Sequence, residues 1–282
     1  LNIQILKKNS ASIQNIRKEK IELKLRENEN AMETISFKNE ITFKDVSFSY
    51  NNEKEILKNI NIKIKKGEII GIFGASGSGK TTFINLILGL LKPSKGKITI
   101  DNKKELFQNS QNWQKLLGFV PQKIFMQNTS VTRNIAFAQD ENFISETKIN
   151  EAIKISNLTN FVKDKEKGDK ISIGDNAIKI SGGQAQRIGI ARSYYKNPEI
   201  LILDEATNNL DEQNENEIIL NLKSSEEISV VICDHQARDL LSCVDRAIIL
   251  SNGKIIASGS PDEVISDKTA KTQYFGDEFN IN

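Results

Sequence analysis

Eight consecutive residues, Gly74-Ala75-Ser76-Gly77-Ser78-Gly79-Lys80-Thr81, leave this chain few folds to choose from. They satisfy the pattern G-x-x-x-x-G-K-[ST] at every required position. The apolar run Ile69-Ile70-Gly71-Ile72-Phe73 before them reads as a buried strand, and Thr82 to Leu91 after them reads as a helix closed by Pro93 and Gly96. Strand, glycine-rich turn and helix are the setting in which this pattern binds phosphate. Glycines let several backbone N–H groups point inward around an anion, and the helix N-terminus adds partial positive charge. Lys80 is expected to reach β- and γ-phosphates, and the Thr81 hydroxyl to ligate Mg²⁺, with Thr82 completing the contact set. The residues imply a site for a nucleoside triphosphate.

Composition narrows the setting. Across 282 residues, 39 basic and 37 acidic side chains nearly cancel, so no strong field favours nucleic acid, and no nucleic-acid partner is expected. Two cysteines, Cys233 and Cys243, are too few for a disulfide framework and read as reduced packing residues. No run approaches the ~18–20 apolar residues of a membrane span. The longest, Phe83 to Leu91, is interrupted by Asn85, and no secretory signal is visible. A start at Leu1 in place of Met suggests a piece of something longer.

Along the chain, Leu6, Ile13, Ile16 and Leu23 recur at helical spacings among Lys, Arg and Glu, so residues 1 to about 30 are expected to be a helix with one narrow docking face. A polar linker follows from Glu27 to Glu40. Ile41 to Tyr50 and Ile56 to Ile64 alternate apolar and polar residues and read as antiparallel strands ahead of the nucleotide-binding strand; Lys97 to Asp101 reads as another. Residues 104 to about 190 read as a partly helical insertion containing one strand, Leu116 to Val120. Strands return at Ile200 to Leu203, Ile228 to Cys233, Ala247 to Leu250 and Lys254 to Ala257, the last two joined by an Asn252-Gly253 hairpin.

Two further constellations carry chemistry. Ile200-Leu201-Ile202-Leu203-Asp204-Glu205 is an apolar strand ending in two carboxylates. Beside a phosphate loop, Asp204 is expected to hold Mg²⁺, and Glu205 to polarise a water for attack on the γ-phosphate. Ser181-Gly182-Gly183-Gln184 opens a helix with a second phosphate-binding turn. Two such turns, only one of them followed by Lys-Thr, suggest a site shared between copies, each copy supplying one turn to each nucleotide in a two-fold dimer.

With these motifs in order, residues 40 to about 260 resemble the nucleotide-binding domain of an ATP-binding cassette (ABC) transporter. The family signature, usually Leu-Ser-Gly-Gly-Gln, stands here as Ile180-Ser181-Gly182-Gly183-Gln184. The resemblance implies an α/β fold, a P-loop NTPase with a RecA-like core, an antiparallel β subdomain and a helical subdomain over about 104–190. It implies that Tyr50 stacks on adenine, that Gln122 senses Mg²⁺ and couples to a membrane domain, that Asp211 lies in a loop crossing the dimer interface, and that His235, the only histidine, contacts the γ-phosphate. Catalysis would rest on Glu205, His235, Lys80 and Gln122; Mg²⁺ would be held by Thr81, Gln122 and Asp204.

The stretch Ile173-Gly174-Asp175-Asn176-Ala177 partly matches a Val-Gly-Glu-Arg-Gly segment of exporter-type members, and residues 1–39 resemble the connector from a preceding transmembrane domain. Both imply an ATPase of a half-transporter exporter at the cytoplasmic face of the cell membrane, this piece itself soluble, moving a lipid, lipid-linked sugar or peptide. Two positions depart from the family: Asn208-Asn209 replaces the usual Ser-Ala of the interface loop, and Asp234 replaces the usual Ala before His235. Neither removes a catalytic group, so an active ATPase is expected. The alternatives are a soluble ABC-type ATPase of DNA repair or translation, a separate unfused transporter ATPase, and a P-loop kinase or GTPase, which would leave Ser181-Gly182-Gly183-Gln184 unexplained.

Overall fold

The computed structural model describes residues 35–51, 54–163, 172–173, 180–208, 210–225, 228–235 and 240–276. The helix expected over residues 1 to about 30, and the exporter-like stretch after Ile173, lie outside the described residues. Contacts divide the chain into Leu1–Ser36 and Phe37–Asn282; the architecture that follows is that of the second unit.

Two sheets organise it. The first is antiparallel, in the order β2-β1-β4-β5, from β1 (Glu40–Ser49), β2 (Glu55–Lys65), β4 (Lys95–Ile100) and β5 (Lys104–Glu105). The alternation along β1 and β2 buries Ile41, Phe43, Ile60, Ile62 and Ile64 on one side, as period-2 patterning demands. The second has six strands in the order β12-β11-β3-β10-β9-β6, with β3 (Ile69–Phe73), β6 (Leu117–Val120), β9 (Ile200–Asp204), β10 (Ser229–Asp234), β11 (Arg246–Ser251) and β12 (Lys254–Gly259). All its pairs are parallel except the β11–β12 hairpin at one edge. Every residue of β3 and β10 is buried, which is why they read as unbroken apolar runs: a parallel sheet covered on both faces has no solvent side to alternate with.

Register decides where the chemistry collects. Phe73 pairs with Asp234, Cys233 with Asp204, and Leu203 with Val120, so the strands β3, β10, β9 and β6 end side by side. The residues that follow those ends are Gly74, His235, Glu205 and, two beyond β6, Gln122. In open α/β sheets this carboxyl edge is where ligands bind.

The first helix, α1, spans Lys80–Ile87, two residues earlier at its start than the hydrophobic pattern suggests and four shorter at its end. Its stop is geometric. Gly89 takes φ 68, its N–H bonds to Leu86 O at 3.1 Å and the Leu90 N–H to Asn85 O at 3.0 Å, a left-handed glycine cap. The buried Trp113 indole then donates to the Ile87 carbonyl at 2.6 Å. Leu90 and Leu91 look helical in sequence, but the cap turns the chain away before them.

Beyond these two sheets come a small antiparallel pair, β7 (Thr129–Ser130) and β8 (Ser172–Ile173), and the short helices α2 (Ser110–Gln114), α3 (Val131–Ile135), α4 (Glu146–Ile155) and α5 (Thr159–Lys163), then α6 (Gly182–Tyr195) and α7 (Glu212–Lys223). Val131, Ile135, Ile149, Ala152, Ile153, Leu158 and Ile173 form a core separate from the one on the parallel sheet. Helix α6 joins the two: Ile188, Ala191 and Tyr195 pack in the helical core while Ile190 packs in the sheet core. Strand β6, although it lies between helical segments in sequence, belongs to the six-stranded sheet.

Candidate active site at the carboxyl edge of the parallel sheet

The phosphate loop is folded around its own lysine. Lys80 is buried, and its ammonium donates to Gly74 O at 2.5 Å and Ala75 O at 3.3 Å. Gly79 holds φ 110, a conformation that other residues rarely adopt. The loop fits a phosphate chain on two counts. Ser78 Oγ is buried with no hydrogen-bond partner among the described residues, and a Cβ placed on Gly77 would find nothing within 4 Å. A buried unsatisfied hydroxyl, a backbone left open at Gly77 and an ammonium at hand suit an anionic ligand.

Opposite the loop, Glu205 stands at the end of β9 with φ 49, in the left-handed region, and its N–H bonds to Cys233 O at 2.8 Å. A non-glycine residue there carries strain of order 1–3 kcal/mol, which persists only where the surroundings enforce it. Its Oε2 accepts from Gln122 Nε2 at 2.6 Å, and its Oε1 lies 3.9 Å from His235 Nδ1. Asp204 is half-buried; burial first, and the charge of Glu205 second, push its carboxyl up, with Lys80 opposing. An acid held in this way is well placed to gain from a divalent cation. The donor set of Thr81 hydroxyl, Gln122 amide oxygen and Asp204 carboxylate is all oxygen, the preference of Mg²⁺.

The structure thus brings Gly74 to Thr81, Gln122, Asp204, Glu205 and His235 to one edge. It gives other expected residues a local setting. Tyr50 is exposed, edge-on to Phe48. Ser181 caps α6: its Oγ accepts from Gln184 N–H at 3.1 Å while Gln184 Oε1 accepts from Ser181 N–H at 2.9 Å. Gly182 and Gly183 follow on the first turn. Asp211 caps α7, accepting from the Asn214 N–H at 2.9 Å and side-chain amide at 2.7 Å; those bonds hold its carboxyl below the usual range, with Arg187 helping. No described hydrogen bond joins Tyr50, Ser181–Gln184 or Asp211 to the carboxyl-edge cluster.

One supporting residue has no sequence signal. The Tyr274 hydroxyl, from the turn Lys271–Phe275 near the chain's end, donates to the His235 carbonyl at 2.7 Å. Burial, then the Asp234 charge, push that phenol well up. Thirty-nine residues separate the pair, and no motif marks a tyrosine for that task.

The family model for "ABC transporter" matches residues 57–208, from near the start of β2 to the loop after Glu205. The chain belongs to the ABC transporter family. Curated ABC relatives include the alpha-hemolysin translocation ATP-binding protein HlyB of Proteus vulgaris, 37% identical over 238 residues, which is 83% of this chain and 33% of that protein. The leukotoxin export ATP-binding protein LtxB of Aggregatibacter actinomycetemcomitans is 35% identical over the same shares. An uncharacterised ABC transporter ATP-binding protein of Haemophilus influenzae is 35% identical over 80% of this chain and 37% of its own length. Among solved structures, a bacterial Atm1-family ABC exporter with ATP bound superposes with a TM-score of 0.76 at 27% identity, over 84% of this chain and 42% of that one. The chain spans about a third of the length of the curated relatives it matches. What it carries is the ATP-binding ATPase domain of that family. Among the described residues, no helix is long and apolar enough to cross a membrane.

Proposed function

We propose that two copies of this domain close around two Mg²⁺-ATP and, coupled to transmembrane domains fused ahead of residue 40, drive a substrate across a membrane from its cytoplasmic face. The observation that carries this reading is the register that ends four parallel strands together and sets Lys80, Gln122, Asp204, Glu205 and His235 at one edge. The names of the hemolysin and leukotoxin relatives favour a polypeptide among the cargo classes that the motifs leave open.

Glu205 is the general base in this reading. It accepts a proton from a water whose oxygen attacks the γ-phosphorus; the bond from that phosphorus to the bridging oxygen breaks, its electron pair leaves with ADP, and phosphate is released. Lys80 leaves the Gly74 and Ala75 carbonyls to meet the β- and γ-phosphates, and Gln122 gives up its bond to Glu205, freeing the carboxylate for water. His235, and Ser181 with Gly182 and Gly183 of the partner copy, stabilise charge on the transferred group. Thr81, Asp204 and Gln122 would hold Mg²⁺, which when bound neutralises phosphate charge. Tyr50 offers an exposed ring for adenine.

The test is Glu205→Gln. We expect ATP to bind while turnover falls by about 10²–10⁴-fold, the usual contribution of a positioned base, and an ATP-bound dimer to accumulate on a sizing column. Turnover at the original rate would remove Glu205 from its role.

A further inference from the structure

Three carboxylates meet at the ends of β9 and β10, and only two have work in the mechanism. The third, Asp234, is the last residue of β10, beside Phe73 and immediately before His235, and only 2% of its surface is exposed. A buried carboxylate has to be satisfied or it costs stability. Asn208 is one of its partners. With its amide nitrogen toward Asp234, Asn208 donates to Oδ2 at 2.6 Å and Oδ1 at 3.3 Å. The opposite orientation would aim a carbonyl oxygen at the carboxylate, leaving the nitrogen only a 3.4 Å contact to Glu205 Oε2, so the first is assigned. His235 Nδ1 lies 3.3 Å from Asp234 Oδ1.

These are two of the positions at which the sequence departs from its family, Asn for Ser and Asp for Ala, and the fold brings them together. We propose that Asn208 and Asp234 act as one positioning unit, which ties the interface loop after Glu205 to the strand end before His235 and so sets where the base and the γ-phosphate sensor stand. Asn208 lies three residues beyond Glu205, and Asp234 one residue before His235. The β9–β10 ladder ends at the Glu205 N–H to Cys233 O bond. The amide–carboxylate pair adds one more cross-link past it, on the far side of the left-handed Glu205. Strain at Glu205 needs an anchor on each side: the ladder supplies one, and Asn208 the other. A carboxylate alone at position 234 would bring a third negative charge toward the phosphates, and the Asn208 amide gives its oxygens a donor.

The inference rests on the ATPase reading above, and one set of variants separates the two. Steady-state ATPase kinetics and nucleotide-free melting would be recorded for the 282-residue chain, for Asn208→Ala, Asp234→Ala, the double variant, Asp234→Asn and Glu205→Gln. Asn208→Ala, which removes the Asn208 amide from the buried carboxylate, should lower kcat about tenfold, and Asp234→Ala about fivefold, with KM for ATP within about twofold in both. The double variant should be no slower than Asn208→Ala, because each substitution breaks the same link. Melting temperatures without nucleotide should show the same non-additivity. Asp234→Asn, which keeps the shape and one hydrogen bond, should recover kcat to within about threefold and covers the case in which the alanine variants fail to fold. Losses that multiply to about fiftyfold in the double variant, or a KM that rises with kcat unchanged, would overturn the positioning unit. If Glu205→Gln turned over normally, the ATPase reading itself would fail, whatever the other variants did.

Discussion

The chain carries two glycine-rich turns at helix N-termini, and they are built differently. The turn before α1 wraps its own buried lysine, keeps a buried serine hydroxyl without a partner and adjoins a strained carboxylate. The turn before α6 is relaxed: Ser181 and Gln184 satisfy each other in a closed capping box on an exposed corner. The first is an incomplete polar network that a ligand would complete, whereas the second is complete and can only add donors to something held elsewhere. That difference is why a shared site makes sense of the pair. In the proposed dimer, one turn would bind and the other would close over what is bound.

The sharpest way to break the comparison is Lys80→Ala. Loss of a charge-assisted contact worth about 2 kcal/mol should weaken ATP binding by about thirtyfold or more, read by calorimetry. Undiminished binding would make the first turn as dispensable as the second. Ser181→Arg comes next: bulk on the exposed corner should abolish ATP-dependent dimerisation while the monomer still binds ATP. A variant that dimerises normally would sink the shared site.

Asp204→Asn sharpens the contrast in stability. Burial and Glu205 raise the native carboxyl above its unfolded value, so at neutral pH its charge is a net cost to the nucleotide-free chain. Asn should raise the melting temperature without Mg²⁺ while abolishing Mg²⁺-dependent turnover. The gain should shrink as pH falls through the raised pKa, because protonation relieves the same cost in the parent chain. A melting temperature that fell at neutral pH would mean that Asp204 is satisfied as it stands. The smallest effect belongs to the relaxed turn: Ser181→Ala removes the cap and should cost about 1 kcal/mol in urea unfolding, with Ser181→Gly costing only a few tenths. Equal losses would mean that the capping box contributes nothing.

Much of the site could be read directly. Gly74 to Thr81, Asp204-Glu205, Ser181 to Gln184 and the strand ahead of His235 are local patterns, because wrapping a phosphate or ending a buried strand in carboxylates constrains neighbours in sequence. The end of α1 could not be read, since Leu90 and Leu91 continue the helical pattern and only Gly89 with Trp113, over twenty residues away, turns the chain. Nor could the full setting of the Asp211 carboxylate: its capping bonds are local, but Arg187, which also favours its charge, comes from another helix.

By itself, then, the sequence determined the chemistry on offer: which residues can hold phosphate, take a proton or cap a helix, each set by side-chain type and short spacing. Tertiary structure decided which of them meet. Parallel register placed Glu205 beside His235 across thirty residues and let Asn208 reach Asp234, while the packing of the C-terminal turn brought Tyr274 to the His235 carbonyl. Those contacts depend on strand order and stagger, which arise from burying both faces of a sheet, and a burial that involves the whole chain leaves no mark at any single position.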